Sequence, residues 1–517
     1  MALYSERAEA VAPGFALNAE TAPVVAAVCR RLEGHPLAIE LAAARTRLLP
    51  PAVQLERLEH GFELLAGGTR DAPERHRTLR ATLEWSHSLL EPGEQRLYEQ
   101  LGAFVGGWTL DAAEAVCAGG ADVLDGLASL REQSIVGATG TEPRFSMLEP
   151  LRRFALEKLD ARPEAADVRH RHARHFAALA ERLEPNLALG GPGGEFELLE
   201  REHGNCRAAL RSSLEAGDAE TALRLAAALG RFWFVRGYAS EGRQWLHDAL
   251  SLDPDGEPAL RAKALLREGV LALRQGDEDA AGGLLEHSLD LLRKVGDDDG
   301  VALALNLLGH WQTRRGELMA AHEAFREAAA AYERIGDERG VALMRMNLGG
   351  SHLTLGEYDS AAELSAEAIE LARAVGDRVN VSVALVNLAC ARLELGRVEE
   401  AGPALREAIE LAHSLQFKEQ IVYGLEALAA FALARGEPAQ SARVLGAAES
   451  LRSSIGILLD RFELTVHERT AEGSRRALGD QAFAAAWAEG SRLEPDEAVE
   501  YGLAVLAFAA APVSARS

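Results

Sequence analysis

Residues 341–380 read VALMRMNLGGSHLTLGEYDSAAELSAEAIELARAVGDRVN. Residues 341–354 are predicted to form a helix that is interrupted at Leu355-Gly356-Glu357, where glycine supplies a backbone conformation other residues resist. A second helix is predicted from Tyr358 to about Ala374, closed by Gly376-Asp377. Small residues at Gly349, Ala361 and Ala368 let the two helices approach closely, and Leu348 and Leu364 fill the gap between them. One such hairpin cannot bury its apolar face alone, so the segment requires similar neighbours stacked on it.

The sequence supplies them. Gly276, Gly316, Gly356, Gly396 and Gly436 recur at a fixed interval of forty residues. A leucine precedes four of them at the same offset (Leu308, Leu348, Leu388, Leu428), followed by Gly309, Gly349, Ala389 or Ala429. After the glycines come Ala281, Ala321, Ala361, Ala401 or Ser441, and then Ser288, Ala328, Ala368, Ala408 or Ala448. Self-similarity at a fixed period of this size marks a solenoid. The units resemble the tetratricopeptide repeat in its lengthened form, whose units often end in Gly-Asp, as at Gly296-Asp297, Gly336-Asp337 and Gly376-Asp377. That resemblance covers residues 259–460 and implies a right-handed superhelix that binds something in its concave face and has no chemistry of its own.

In tetratricopeptide arrays the first helix of each unit lines the concave face. The polar side chains there would be Arg267, Arg274, Asn306, His310, Arg314, Asn347 and Asn387. Arginines among asparagines suit an extended peptide or an acidic group, although ordinary solvated positions would carry the same residues.

Composition sets the outer bounds. At 517 residues the chain has room for three or four domains, and 48% hydrophobic with 26% charged residues is an ordinary globular mixture. Aromatics are only 5% while Ala and Leu abound, which favours helices. The net charge of -24 argues against coating nucleic acid and against an anionic membrane. Cys29, Cys117, Cys206 and Cys390 stand far apart in no metal-ligand spacing and read as buried small hydrophobes in a reducing, cytoplasmic setting. Met1–Ala10 reads as a charged amphipathic helix and not as a signal peptide, and no apolar run reaches the ~18 residues of a membrane span.

Toward the N-terminus, Asn18 is expected to cap a helix carrying Val24, Val28 and Leu32 on one face. The string CRRLEGHPLAIELAAAR (Cys29–Arg45) follows. It is similar to the end of the nucleotide-binding module of STAND-type regulatory ATPases, the NB-ARC group, in which a Gly-x-Pro-Leu-Ala motif leads into a helical lid. Gly34, Pro36, Leu37 and Ala38 match that motif, and the resemblance implies that the proline packs near an adenine. Gly-x-Pro could equally end one helix and begin another. A phosphate-binding loop needs Gly-x-x-x-x-Gly-Lys-[Ser/Thr], but none of the four lysines (Lys158, Lys263, Lys294, Lys418) follows a glycine. Autonomous ATP hydrolysis and tight ATP binding are therefore not expected. No cofactor is expected, and ATP or ADP would require a separate NTPase core.

Helices expected at 78–90, 93–103, 110–117 and 121–133 precede two strand candidates, Ser134–Ala138 and Arg144–Leu148. Helices followed by a hairpin is the order of a winged helix. The stretches Phe-Val-Gly-Gly-Trp-Thr-Leu and Met-Leu-Glu-Pro-Leu-Arg closely resemble the winged-helix domain that follows the lid in the same bacterial regulators, which implies an internal clamp on the nucleotide site. A DNA-reading helix should present Arg, Lys, Asn or Gln, whereas residues 121–133 offer Asp122, Asp125, Ser129, Arg131, Glu132 and Gln133. Relatives place a phosphate-touching histidine in a Met-His-Asp motif, where this chain has Met147-Leu148-Glu149. Arg152 or Arg153 could substitute, or lie on a solvated face. His170, His172 and His175 do not converge on one helix face and read as a partly solvated, titrating helix start, not a metal site. Trp233 and Trp245 are expected in the core of a hairpin around Gly237.

These observations define a mainly α chain: a helical lid remnant at 1–70, a winged helix at 71–160, irregular helical repeats at 161–258, tetratricopeptide repeats at 259–460, and capping helices with a tail at 461–517. Residues 481–490 also resemble the tail of the repeat region in these regulators, many of which continue into a LuxR-type helix-turn-helix. The functional expectation is a signal-sensing, partner-binding module of a STAND-like, LuxR-like transcriptional regulator. Its partner would be a protein or peptide, with a small-molecule effector as an alternative. A DNA-binding regulator and a nucleotide-binding switch are the competing classes. No nucleophile–base constellation marks an enzyme, and no catalytic or metal residues are assigned.

Overall fold

The computed structural model describes residues 1–12, 15–18, 21–31, 39, 42–43, 46, 49–60, 79–117, 122–139, 143–188, 194–459 and 461–509. The chain divides into two compact units, residues 1–260 and 261–517. Gly34, His35, Pro36, Leu37 and Ala38 lie outside the described residues, as does the Gly67–Pro73 connection. Among the described residues no helix is long and apolar enough to cross a membrane.

The first unit begins with α1 (Ala2–Val11), α2 (Thr21–Arg31) and α3 (Pro51–His60). Asn18 caps α2 reciprocally: its side chain accepts from the Thr21 N–H, and the Thr21 hydroxyl accepts from the Asn18 N–H, both at 2.9 Å. Tyr4 is buried against Val25 and Val28, and its hydroxyl donates to Gln54 at 2.9 Å. Then come α4 (Leu79–Ser88), α5 (Pro92–Leu101), α6 (Leu110–Val116) and α7 (Val123–Glu132), followed by an antiparallel hairpin of β1 (Val136–Thr139) and β2 (Arg144–Met147). Val136 faces Met147 and Thr139 faces Arg144. The first strand starts two residues later than expected because Ser134 takes a left-handed backbone (φ 59) and returns its N–H to Arg131.

Helix α8 (Glu149–Asp160) leads to α9 (Ala165–Ala188), α10 (Glu195–Ala216), α11 (Ala219–Arg236) and α12 (Ala239–Leu252). Trp233 is fully buried, whereas Trp245 is only half-buried and donates to Glu241 at 3.2 Å. The histidine segment corrects its sequence reading. It sits inside α9, where Val168, His172, Phe176 and Ala180 form one buried stripe at four-residue spacing. His172 packs on Phe104 and Phe176, with ring centroids 5.2 and 4.7 Å away. Burial pushes its pKa down to about 3 despite the nearby Asn205. His170 alone behaves as a solvated position, facing Asp218 at 3.1 Å.

Five helical hairpins follow: α13 (Pro258–Arg274) with α14 (Glu278–Val295), α15 (Asp298–Arg314) with α16 (Leu318–Ile335), α17 (Glu338–Leu355) with α18 (Tyr358–Ala374), α19 (Arg378–Glu394) with α20 (Val398–Ser414), and α21 (Lys418–Ala434) with α22 (Pro438–Ile455). The Gly-Asp signature has a direct cause. Gly296, Gly336 and Gly376 hold φ of 73, 72 and 70° to terminate one helix, and Asp297, Asp337 and Asp377 then accept backbone N–H groups that start the next. Close approach explains the small residues. A Cβ on Gly309 would stand 2.5 Å from the Phe325 ring, and one on Gly349 would stand 2.7 Å from Ser365 Oγ.

Three further helices complete the second unit: α23 (Arg461–Leu478), α24 (Asp480–Gly490) and α25 (Pro495–Ala509). The last replaces part of the expected tail. Its Ala498, Val499, Val505 and Leu506 join the core of α19–α22.

Candidate functional site: the inner face of the repeats

On α15 and α17 the first helix of the repeat packs against its own second helix and the preceding unit, which leaves one stripe only partly buried. On α15 that stripe contains Leu303, Leu307 and His310, and on α17 it contains Leu343, Asn347 and Gly350. His310 shows what kind of surface this is. The residue is open to solvent, yet surrounding protein lowers its imidazole pKa through desolvation. His310 thus stands at an edge where the first helix meets both solvent and packed protein.

The residues proposed from sequence meet unequally. Asn347 Nδ2 donates to Asn306 Oδ1 at 2.8 Å and lies 3.3 Å from His310 Nε2, so three of them from two successive units form one polar network. His310 also rests edge-on against Phe325, 5.1 Å between centroids. Asn387 donates to the Met346 carbonyl at 3.4 Å, repeating the unit-to-unit link one step on. Arg314 is exposed but turns to Glu278 on α14 at 2.6 Å, so it stands at the groove edge. Arg267 is half-buried and Arg274 exposed. The network can offer amide donors and acceptors to an extended backbone, with cations at the rim.

The other end of the groove is covered. Helix α23 leaves the forty-residue register and lies across the ends of α17, α19 and α21. Phe462 packs with Leu353, Tyr358 and Cys390. Arg469 forms a two-pronged ion pair with Glu394, and His467 Nδ1 lies 2.9 Å from Glu426. That contact raises the His467 pKa. Between α23 and the groove floor remains a cavity of 520 Å³ lined by Cys390, Leu393, Ala430, Leu433, Val466, Arg469 and Arg476 among others. Cys390 keeps its thiol: burial raises its pKa strongly. Sequence reading treated α23 as a simple cap. The signals that it folds inward are its slipped register and the spacing of Val466, Thr470 and Ser474, its three buried residues.

In the first unit a second constellation escaped sequence reading. Arg144, at the foot of β2, is paired with Glu202 on α10 and also donates to the Gly107 carbonyl at 3.2 Å. Asn205 accepts from the Val105 N–H at 2.6 Å and donates to the Gly107 carbonyl at 2.9 Å and to Glu202 at 2.7 Å. Trp108 and Phe145 exchange backbone hydrogen bonds at 2.9 and 2.8 Å. The hairpin is thereby latched to α10. Arg152 donates to Glu149 at 2.7 Å and to the Gly102 carbonyl at 3.2 Å, a structural commitment within the same unit.

Residues 260–334 and 340–414 match the family model described as tetratricopeptide repeat. Residues 260–414 are tetratricopeptide repeats. Helical hairpins of the same forty-residue period continue through α22. The chain is 38% identical over 321 residues to a Mycobacterium tuberculosis protein provisionally named an HTH-type transcriptional regulator, a match covering 59% of this chain and 36% of that protein. It is 40% identical over 200 residues to an uncharacterized M. tuberculosis protein, covering 37% of this chain and 49% of the other. The matches thus span about a third to a half of those relatives. Among solved structures, a STAND protein with a tetratricopeptide repeat sensor from Pyrococcus horikoshii superposes with a TM-score of 0.48 at 13% identity, over 98% of this chain and 74% of the other.

Proposed function

We propose that this chain is the sensing and partner-binding part of a STAND-like transcriptional regulator, and that the open end of the repeat groove takes an extended acidic peptide or protein segment. The observation that carries this reading is the Asn306–His310–Asn347 network, which runs from buried Asn306 through half-buried Asn347 to exposed His310, with arginines nearby. In a chain of net charge -24, amides with Arg274 nearby, and Arg314 shared with Glu278, give an acidic segment hydrogen-bond partners beside positive charge. The name of the mycobacterial relatives supports a regulatory setting. The test is a peptide-display selection against the protein and against Arg274→Glu/Arg314→Glu. The wild type should enrich acidic sequences, and the double variant should lose them while keeping its helicity. Enrichment that is equal for both proteins would sink the reading.

The relatives' helix-turn-helix name also favours a second reading, DNA binding through a winged helix formed by α5–α7 and the hairpin. Its electrostatics oppose it. Helix α7 carries Asp125 and Glu132 against Arg131, and the hairpin's Arg144 is spent on Glu202. Salt-sensitive, sequence-selective gel shifts would revive it. A nucleotide switch would show as micromolar ADP or ATP binding in calorimetry. With no nucleophile–base pair assigned, catalysis is not part of the proposal.

A further inference from the structure

The groove has two ends of opposite chemistry. Toward α13 and α15 it offers arginines and amides. Toward α19 and α21 it offers the carboxylates Glu394 and Glu426, whose side chains are only 12% and 3% exposed. Near-buried carboxylates on an apolar floor are costly without a cation, and α23 delivers Arg469 and His467 to them.

Yet α23 is lightly seated. Three of its 18 residues are buried, against eleven of 17 in α21, which it covers. The cavity beneath it is large enough for a small molecule. Its N-terminal connector contains Gly456 at φ +70 and Leu458, 84% exposed. The helix is held by two charged contacts, the Phe462 cluster, the Ser474–Ser441 hydrogen bond at 3.0 Å and a narrow buried stripe, a lighter seating than that of the helix beneath it.

We propose that α23 is an exchangeable internal occupant of the acidic end of the groove, and that this end is a recognition surface for a basic helix of the same pattern. That pattern is an arginine facing Glu394 with a small residue one turn further on, as in Arg469 and Gly473. A Cβ on Gly473 would stand 2.7 Å from Leu433 Cδ2, so a larger residue there requires Leu433 to change rotamer. A partner protein presenting such a helix would displace α23 and take its place at the acidic end. The proposal rests on reading the inner face as a recognition surface but concerns the end not assigned to acidic peptides, so the two fail separately.

The test uses the full chain and a fluorescently labelled peptide of residues 461–478. Wild type should bind the peptide weakly. Arg469→Glu should accelerate hydrogen exchange in α23 and bind the peptide roughly tenfold tighter, the scale expected when a competing charge pair is removed. Glu394→Arg should also accelerate exchange but lose the peptide, and Arg469→Glu/Glu394→Arg should return exchange to the wild-type rate. Unchanged exchange in Arg469→Glu, or a released α23 without peptide capture, would overturn the proposal. Should Arg469→Glu fail to fold, wild-type exchange decides: α23 must exchange faster than α21, and equal protection would overturn it.

Discussion

The two units are held together by different physics. The tetratricopeptide array packs small residues against one large one, Gly309 under Phe325 and Gly349 beside Ser365, and repeats that solution with the backbone punctuated by glycine and aspartate. The first unit packs large rings and buried polar groups used once each: Phe104 on Trp108 at 5.3 Å, His172 between Phe104 and Phe176, Asn205 with three partners. The array distributes its stability over equivalent contacts. The first unit concentrates it in a few groups that cannot be replaced singly, and one of those groups titrates.

The largest expected effect breaks the units apart by pH. The His172 pKa is about 3 in the folded unit against 6.5 unfolded, so between those values the unfolded chain binds a proton the folded one refuses. Its stabilisation is complete above pH 6.5 and is lost as pH falls toward 3, about 4–5 kcal/mol over the full span. Protection of α9 against hydrogen exchange should therefore collapse on acidification before that of α17–α20 does, and His172→Phe should narrow the gap. Equal acid sensitivity of the units in wild type would contradict the comparison.

Next in size, Gly309→Val should cost the array about 3 kcal/mol, because the Phe325 ring cannot yield without disturbing the next unit. Thermal unfolding should show the loss in the array's transition and leave the first unit's transition in place. Asn205→Ala should do the reverse at about 2 kcal/mol, since it leaves the Val105 N–H and the Gly107 carbonyl without that partner. The smallest effect is a gain. Where the other unit ends have glycine, Gln416 takes a left-handed backbone (φ 54) on an exposed surface, and Phe417 follows without an aspartate cap. Gln416→Gly should stabilise the array by about 1 kcal/mol, read as an upward shift of its midpoint in urea. No shift would mean the unit boundary is set by packing alone.

How far the fold could be read from residues follows the same division. The array was legible because every helix break carries its own chemical reason, and the α17–α18 hairpin falls where Gly356 and the Gly376-Asp377 pair put it. Helix α25 was not, because AVEYGLAVLAFA has no polar face to announce a surface helix and lacks a glycine stop. His172 was misread since spacing among the histidines was weighed and spacing to Val168 and Phe176 was not. In the groove, the network of Asn306, His310 and Asn347 was accessible from register. Arg314's turn toward Glu278 was not, because residues outside the stripe decide it. The inward fold of α23 depends on ion pairs between residues 75 apart in sequence, Arg469 and Glu394, which no local pattern encodes.

The glycine–aspartate punctuation has a consequence for how such a protein changes over generations. Because the units that end in Gly-Asp carry their own stop and start, such a forty-residue cassette can be duplicated or lost in a single genetic event without new junction chemistry. The length of the groove is therefore inherited as a whole number of cassettes, free to vary independently of the residues that line it, and selection can adjust how long a segment is read without first redesigning what is read.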